Sequence, residues 1–144
     1  MKFVTDDIGN LFISELKRTK SVIIAVAYFL PDDRTLSALK GKNMTLIISE
    51  EFTINNPYRL SQLRIGKRLR SIPTYDESGK LHAKVVLGTR EDGSQYAIVG
   101  SANITHQGLF SNQEACVFGD SENKSDHDFL CDIGHWLDGI NERS

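Results

Sequence analysis

A chain of 144 residues, 40% hydrophobic and 25% charged, has the length and composition of one globular domain with its own core. Its formal charge of −2 excludes a basic coat over the whole surface, so any polyanion must be met by local patches. Two cysteines are too few for a disulfide scaffold, and no apolar run approaches the length of a membrane span. Met1 to Asp7 lack the apolar core of a secretory signal; with two thiols expected to be reduced, the expected location is the cytoplasm.

Asp6 to Arg18 reads as a helix. Thr5, Asp6 or Asp7 can cap it, Ile8, Leu11, Phe12 and Leu16 form one apolar stripe, and Lys17 and Arg18 suit its C-terminal end. Ser21 to Leu30, nearly all apolar and rich in β-branched residues, reads as a strand buried on both faces and stopped by Pro31. Asp32 and Asp33 open a short helix to Lys40, closed by Gly41, and Met44 to Ile48 is a second buried strand. This β-α-β order predicts a single α/β domain over residues 1–144, with a mixed, largely parallel sheet sandwiched between helices.

Glu50 to Pro57 is loop-like. Tyr58 to Arg70 then carries Arg59, Arg64, Lys67, Arg68 and Arg70 without an acid, and Leu60, Leu63 and Ile65 give it a helical pattern. Such a stretch either follows a nucleic-acid backbone or is a solvated face balancing acids elsewhere. Ile72 to Tyr75 reads as a short strand and Asp76 to Gly79 as a turn.

Lys80 to Glu114 holds the chemistry. His82 and Lys84 lie on an apolar run, two residues apart, a spacing that sets side chains on the same face of a strand. Asp92-Gly93 marks a tight hairpin turn, after which Tyr96 to Val99 delivers Gly100-Ser101-Ala102-Asn103 back towards the pair. Glu114 follows beside Ala115, Cys116 and Val117, which suggest another strand. One nucleophile or base, one cation, one amide and one carboxylate suit a phosphate-like group, with Lys84 and Asn103 on its oxygens and His82 facing phosphorus. Glu114 is placed to hold the far nitrogen of His82. Singly, each of these residues has a structural reading: a partnered histidine, a surface lysine, a turn asparagine, a solvent-facing glutamate.

From Asp126 to about Ile140 the last helix sets Phe129, Leu130, Ile133, Trp136, Leu137 and Ile140 on one side. His127, Cys131 and His135 recur four apart on the opposite side; they would span about 12 Å along the axis, too far for one ion, and read as a polar face. His106 reads as a helix-start residue.

Taken together, His82-Ala83-Lys84, Gly100 to Asn103, Gly108-Leu109 and Asn112-x-Glu114 resemble the H-x-K, G-S-x-N and N-x-E pattern of the phospholipase D superfamily, and within it the small nuclease branch with one motif per chain. The resemblance implies a phosphodiesterase acting on nucleic acid, DNA in preference to RNA, with no metal or other cofactor and no membrane partner. His82 would attack phosphorus to form a phosphohistidine, and a second histidine would protonate the leaving oxygen. Lys84 and Asn103 would stabilise the phosphoryl oxygens, with Glu114 completing the catalytic set. Ser101, Arg64, Lys67, Arg68 and Arg70 are the expected substrate contacts. Because the chain has one H-x-K, the second histidine implies a homodimer sharing one site. Two departures stand out: Thr89 occupies the position of the family's H-x-K-x4-D aspartate, and the stretch from there to G-S-x-N is four residues longer than usual. A phospholipase or phosphatidyl transferase, and a catalytically silent module that binds nucleic acid or protein, are the alternatives.

Overall fold

In the computed structural model, residues 1–50, 61–65, 68–73 and 79–144 are described. The strands are β1 (Lys2–Val4), β2 (Thr19–Val26), β3 (Phe29–Leu30), β4 (Asn43–Ser49), β5 (Leu69–Ile72), β6 (Lys84–Arg90), β7 (Gln95–Gly100), β8 (Ile104–Thr105) and β9 (Cys116–Asp120). The helices are α1 (Ile8–Leu16), α2 (Asp33–Leu39) and α3 (His127–Arg143), with a π-helical turn at Gln107–Ser111 and a 3-10 turn at Lys124–Asp126. Seven strands form one sheet in the order β1-β9-β7-β6-β2-β4-β5, and β3 pairs with β8 in a separate ladder.

The fold is α/β with a mixed sheet. Within the seven-stranded sheet parallel pairing, expected to dominate, is confined to β2–β4 and β4–β5, while β2–β6, β6–β7, β7–β9 and β1–β9 are antiparallel; the separate β3–β8 ladder is parallel. For β6–β7 the reason is local: the four residues Glu91 to Ser94 between them leave no room for the crossover that parallel strands need. Gly93 takes a φ of 87°, and Asp92 Oδ1 accepts bonds from the Ser94 amide (2.9 Å) and hydroxyl (2.6 Å).

Side chains alternate along the central strands and divide the core in two. Val22, Ile24, Val86 and Ile98 meet Ile8, Phe12 and Leu16 of α1 and Leu36 and Leu39 of α2. Ala25, Ile47, Val85, Leu87 and Ala97 meet Leu130, Leu137 and Ile140 of α3 on the other face. Asp7 occupies the N-cap position of α1 in a left-handed conformation (φ 58°) without a side-chain cap, whereas Asp32 caps α2 by accepting from the Thr35 amide at 2.9 Å.

Two expected elements differ. The strand foreseen over Ser21 to Leu30 breaks at Ala27 and Tyr28, where the Tyr28 amide leaves the ladder to bond a side chain of the site. The basic helix foreseen to Arg70 is already a turn at Leu63, and Arg64 takes a φ of 53°. Leu69 to Ile72 pair with Leu46 to Ser49 instead, and that pairing, which buries Ile72, overrides the helical pattern. Tyr58 to Leu60 and Lys67 lie outside the described residues.

Candidate phosphodiester site

The site lies where β6 begins and β7 ends. Registering Val85 opposite Val99 sets Lys84 beside Gly100, so the hairpin brings G-S-x-N back to H-x-K. β6 opens at Lys84, and residues 81–83 precede it without strand structure. The imidazole and the ammonium nevertheless stand together: Lys84 Nζ is 3.0 Å from His82 Nδ1 and 3.3 Å from Nε2, and donates to the His82 carbonyl at 2.7 Å. Burial depresses the Lys84 pKa, and the Glu114 charge opposes that shift, so the two charges sense one another.

Asn103 is held from 75 positions away. Its Oδ1 accepts the Tyr28 backbone amide at 3.0 Å, and the β3–β8 ladder, Phe29 opposite Ile104, fixes the backbone on either side. That bond commits the amide oxygen and leaves Nδ2 as the donor for an anion. Ser101 donates to Glu114 Oε1 at 2.5 Å and accepts from the Ala115 amide at 3.0 Å. Asn112 Nδ2 donates to Glu114 Oε2 at 3.2 Å. The Ser101 hydroxyl is therefore spent on anchoring the carboxylate. Gly100 makes this approach possible: a Cβ there would lie 2.2 Å from the Ala115 carbonyl oxygen.

Of the expected site residues, the structure brings His82, Lys84, Ser101, Asn103 and Glu114 to one end of the sheet. The basic residues do not form one row. Arg64 is exposed, Arg68 donates to Asn43 Oδ1, and Arg70 donates to Ser144 Oγ at 2.6 Å and to its carbonyl at 3.2 Å. Arg70 thus sits at the C-terminal end of α3. Two anchoring groups were missed: the Tyr28 amide, which carries no local sequence signal, and Asn112, present in the N-x-E motif but given no role.

Thr89 lies five residues along β6 from Lys84, roughly 17 Å away in an extended strand, and accepts from Gln95 Nε2 at 3.3 Å within the hairpin. Next to it Arg90, 1% exposed, binds two carboxylates. It donates to Glu15 at 3.0 and 3.1 Å and to Asp120 at 3.0 and 2.8 Å, joining α1, β6 and β9 at the end of the sheet remote from the site.

His106 stands at the N-cap of the π-helical turn, as expected, with Nδ1 3.0 Å from Asp32 Oδ2. On α3, Cys131 and His135 are exposed and Cys131 Sγ is 3.7 Å from His127 Nε2. Among the described residues no group of three or more His, Cys, Asp or Glu is placed to hold a metal ion, and no helix is long and apolar enough to cross a membrane.

The family model for the cardiolipin synthase, PLD-like domain matches residues 12–129, which include the whole site. The chain belongs to the phospholipase D superfamily. Within that family it is 31% identical over 143 residues to a cardiolipin synthase of Geobacillus thermodenitrificans strain NG80-2, covering 89% of this chain and 27% of that protein. It therefore spans about a quarter of the length of that relative. The fold is shared end to end with NucT from Helicobacter pylori (TM-score 0.67, 16% identity, 99% of this chain and 95% of that one). It is shared in part with yeast tyrosyl-DNA phosphodiesterase 1 (TM-score 0.55, 16% identity, 82% and 31%).

Proposed function

We propose that this phospholipase D superfamily domain is a metal-independent phosphodiesterase that cleaves nucleic acid, DNA in preference to RNA, as a homodimer. The observation that supports the chemistry most is the Lys84 ammonium 3.0 Å from the His82 ring, at the same end of the sheet as Asn103, whose Oδ1 is held by Tyr28, and Glu114, held by Ser101 and Asn112. His82 attacks phosphorus, forming an N–P bond as the P–O bond to the leaving group breaks. A second histidine gives its proton to the leaving oxygen, and water then cleaves the N–P bond to release the product. Lys84 and Asn103 Nδ2 neutralise charge on the non-bridging oxygens, and Glu114 fixes the tautomer of the attacking ring. The nucleic-acid reading is supported by the fold shared with an enzyme named for a DNA phosphodiester. The matching cardiolipin synthase favours a second reading, transfer of a phosphatidyl group by the same histidine chemistry.

Labelled plasmid and labelled phospholipid, each incubated with the protein in excess EDTA, separate the readings. Plasmid cleavage at an unchanged rate is expected. Loss of cleavage on chelation with recovery in magnesium would overturn the mechanism, and turnover of the phospholipid alone would favour the second reading.

A further inference from the structure

The sequence sets Trp136 on the apolar side of α3 with Leu130, Leu137 and Ile140, yet the indole is 41% exposed while those three are buried. It stands beside His82. Trp136, His82, Lys80 and Arg143 line an open cleft of about 160 Å³ floored by Leu81 and Ile140. Arg70, bonded to Ser144, adds a third cation next to Arg143. One histidine therefore belongs both to the phosphodiester site and to a cleft that offers an aromatic ring and positive charge. Proteins that hold single strands combine these two elements, because every base has a face to stack and every linkage a charge to neutralise.

We propose that this cleft binds an unpaired nucleotide flanking the scissile phosphate, with its base stacked on Trp136 and its neighbouring phosphate met by Lys80 and Arg143. The proposal rests on the nucleic-acid reading of the site and narrows it to single-stranded or locally opened substrate, since a base inside a duplex has no free face. Ala83 and Trp136 also line a neighbouring apolar groove along Val85, Val99 and Ile133. An acyl chain would seek that groove. The cations lie on the His82 side of the indole, where a base and its phosphate would sit, and they favour the nucleotide.

Trp136 is the single tryptophan in the sequence, so its emission reports the cleft directly. The His82→Ala protein, in EDTA, would be titrated with a single-stranded oligodeoxynucleotide, an abasic deoxyribose-phosphate strand of equal length, and anionic phospholipid vesicles. The oligonucleotide should quench emission and the abasic strand should not. Followed by the fluorescence anisotropy of a dye-labelled oligonucleotide, since these variants lack the indole, Trp136→Ala should weaken oligonucleotide binding about tenfold or more, while Trp136→Phe, which keeps a ring, should bind within about threefold of the parent protein. Oligonucleotide binding without quenching, and with equal affinity in Trp136→Ala, would overturn the subsite and leave the nucleic-acid reading standing. Quenching by vesicles with no oligonucleotide binding would overturn both.

Discussion

Mixing wild-type chains with a ninefold excess of His82→Ala chains, under conditions that allow exchange, is expected to lower cleavage per wild-type chain about tenfold, because each then meets another wild-type chain about one time in ten. The expectation follows from the proton count of the two-step reaction. One imidazole must be neutral to attack and another protonated to donate, and the sequence holds a single H-x-K followed by G-S-x-N. In an isologous dimer, residues near the two-fold axis face their own counterparts, so a second copy supplies the second His82. A reaction that needs one neutral and one protonated imidazole has a bell-shaped dependence of rate on pH. Pure His82→Ala should lose more than about 10³-fold in turnover, since it removes both the nucleophile and its donor. Undiminished cleavage per wild-type chain in the mixture, or full activity in a sedimenting monomer, would contradict the shared site.

Replacing Arg90 by methionine is expected to destabilise the fold by about 3–5 kcal/mol at neutral pH, the magnitude seen when one partner of a buried ion pair is removed. The methionine fills much of the same volume, so the loss is chiefly that of two carboxylates, Glu15 and Asp120, left without their five-donor partner. The sign of the pH effect is a second check. Burial raises the Asp120 pKa, but the hydrogen bonds and charge of Arg90 outweigh it and hold the carboxyl below its ordinary value of 3.8. A depressed carboxyl pKa stabilises the fold at pH above that ordinary value and ceases to do so as pH falls through the folded-state pKa. In Arg90→Met the Asp120 carboxylate keeps only the Glu122 amide and the more distant Arg18 charge against its burial, so protonation costs the variant less than it costs wild type, and its deficit relative to wild type should shrink from pH 7 towards pH 4. Urea melts at the two pH values would show this. A deficit below about 1 kcal/mol, or one that widens in acid, would contradict the account.

The hairpin was legible because its signals are local. Asp92-Gly93 dictates the turn, the turn dictates the register, and the register carries Gly100 to Lys84. Asn103 and Glu114 could be assigned to the site from motif order, but not what holds them. The Tyr28 amide is 75 residues from Asn103 and reaches it through a break in a strand that its composition alone extends to Leu30. Arg90 shows the same gap. Read in sequence it is one more charge beside a hairpin; buried under α1 it is the anchor of a three-element ion network close to where Thr89 departs from the family pattern. Arg70 misled for the opposite reason. Its neighbours carry a helical spacing, but partner strand β4 offers Ile72 a buried place in the sheet, and pairing decides. Trp136 follows the helical stripe faithfully and still emerges beside His82, because its position on α3 lies along the cleft that opens next to the motif.

The central claim, attack by His82 on a nucleic-acid phosphodiester, is tested most directly by trapping the covalent intermediate. An internally labelled single-stranded oligonucleotide would be reacted briefly with the protein in EDTA, quenched in alkaline denaturant to preserve the acid-labile N–P bond, and the protein digested for peptide mass analysis. The account predicts a labelled nucleotide adduct on the peptide containing His82, absent from His82→Ala. Cleavage that persists in His82→Ala, with no adduct on any histidine of the wild type, would contradict it.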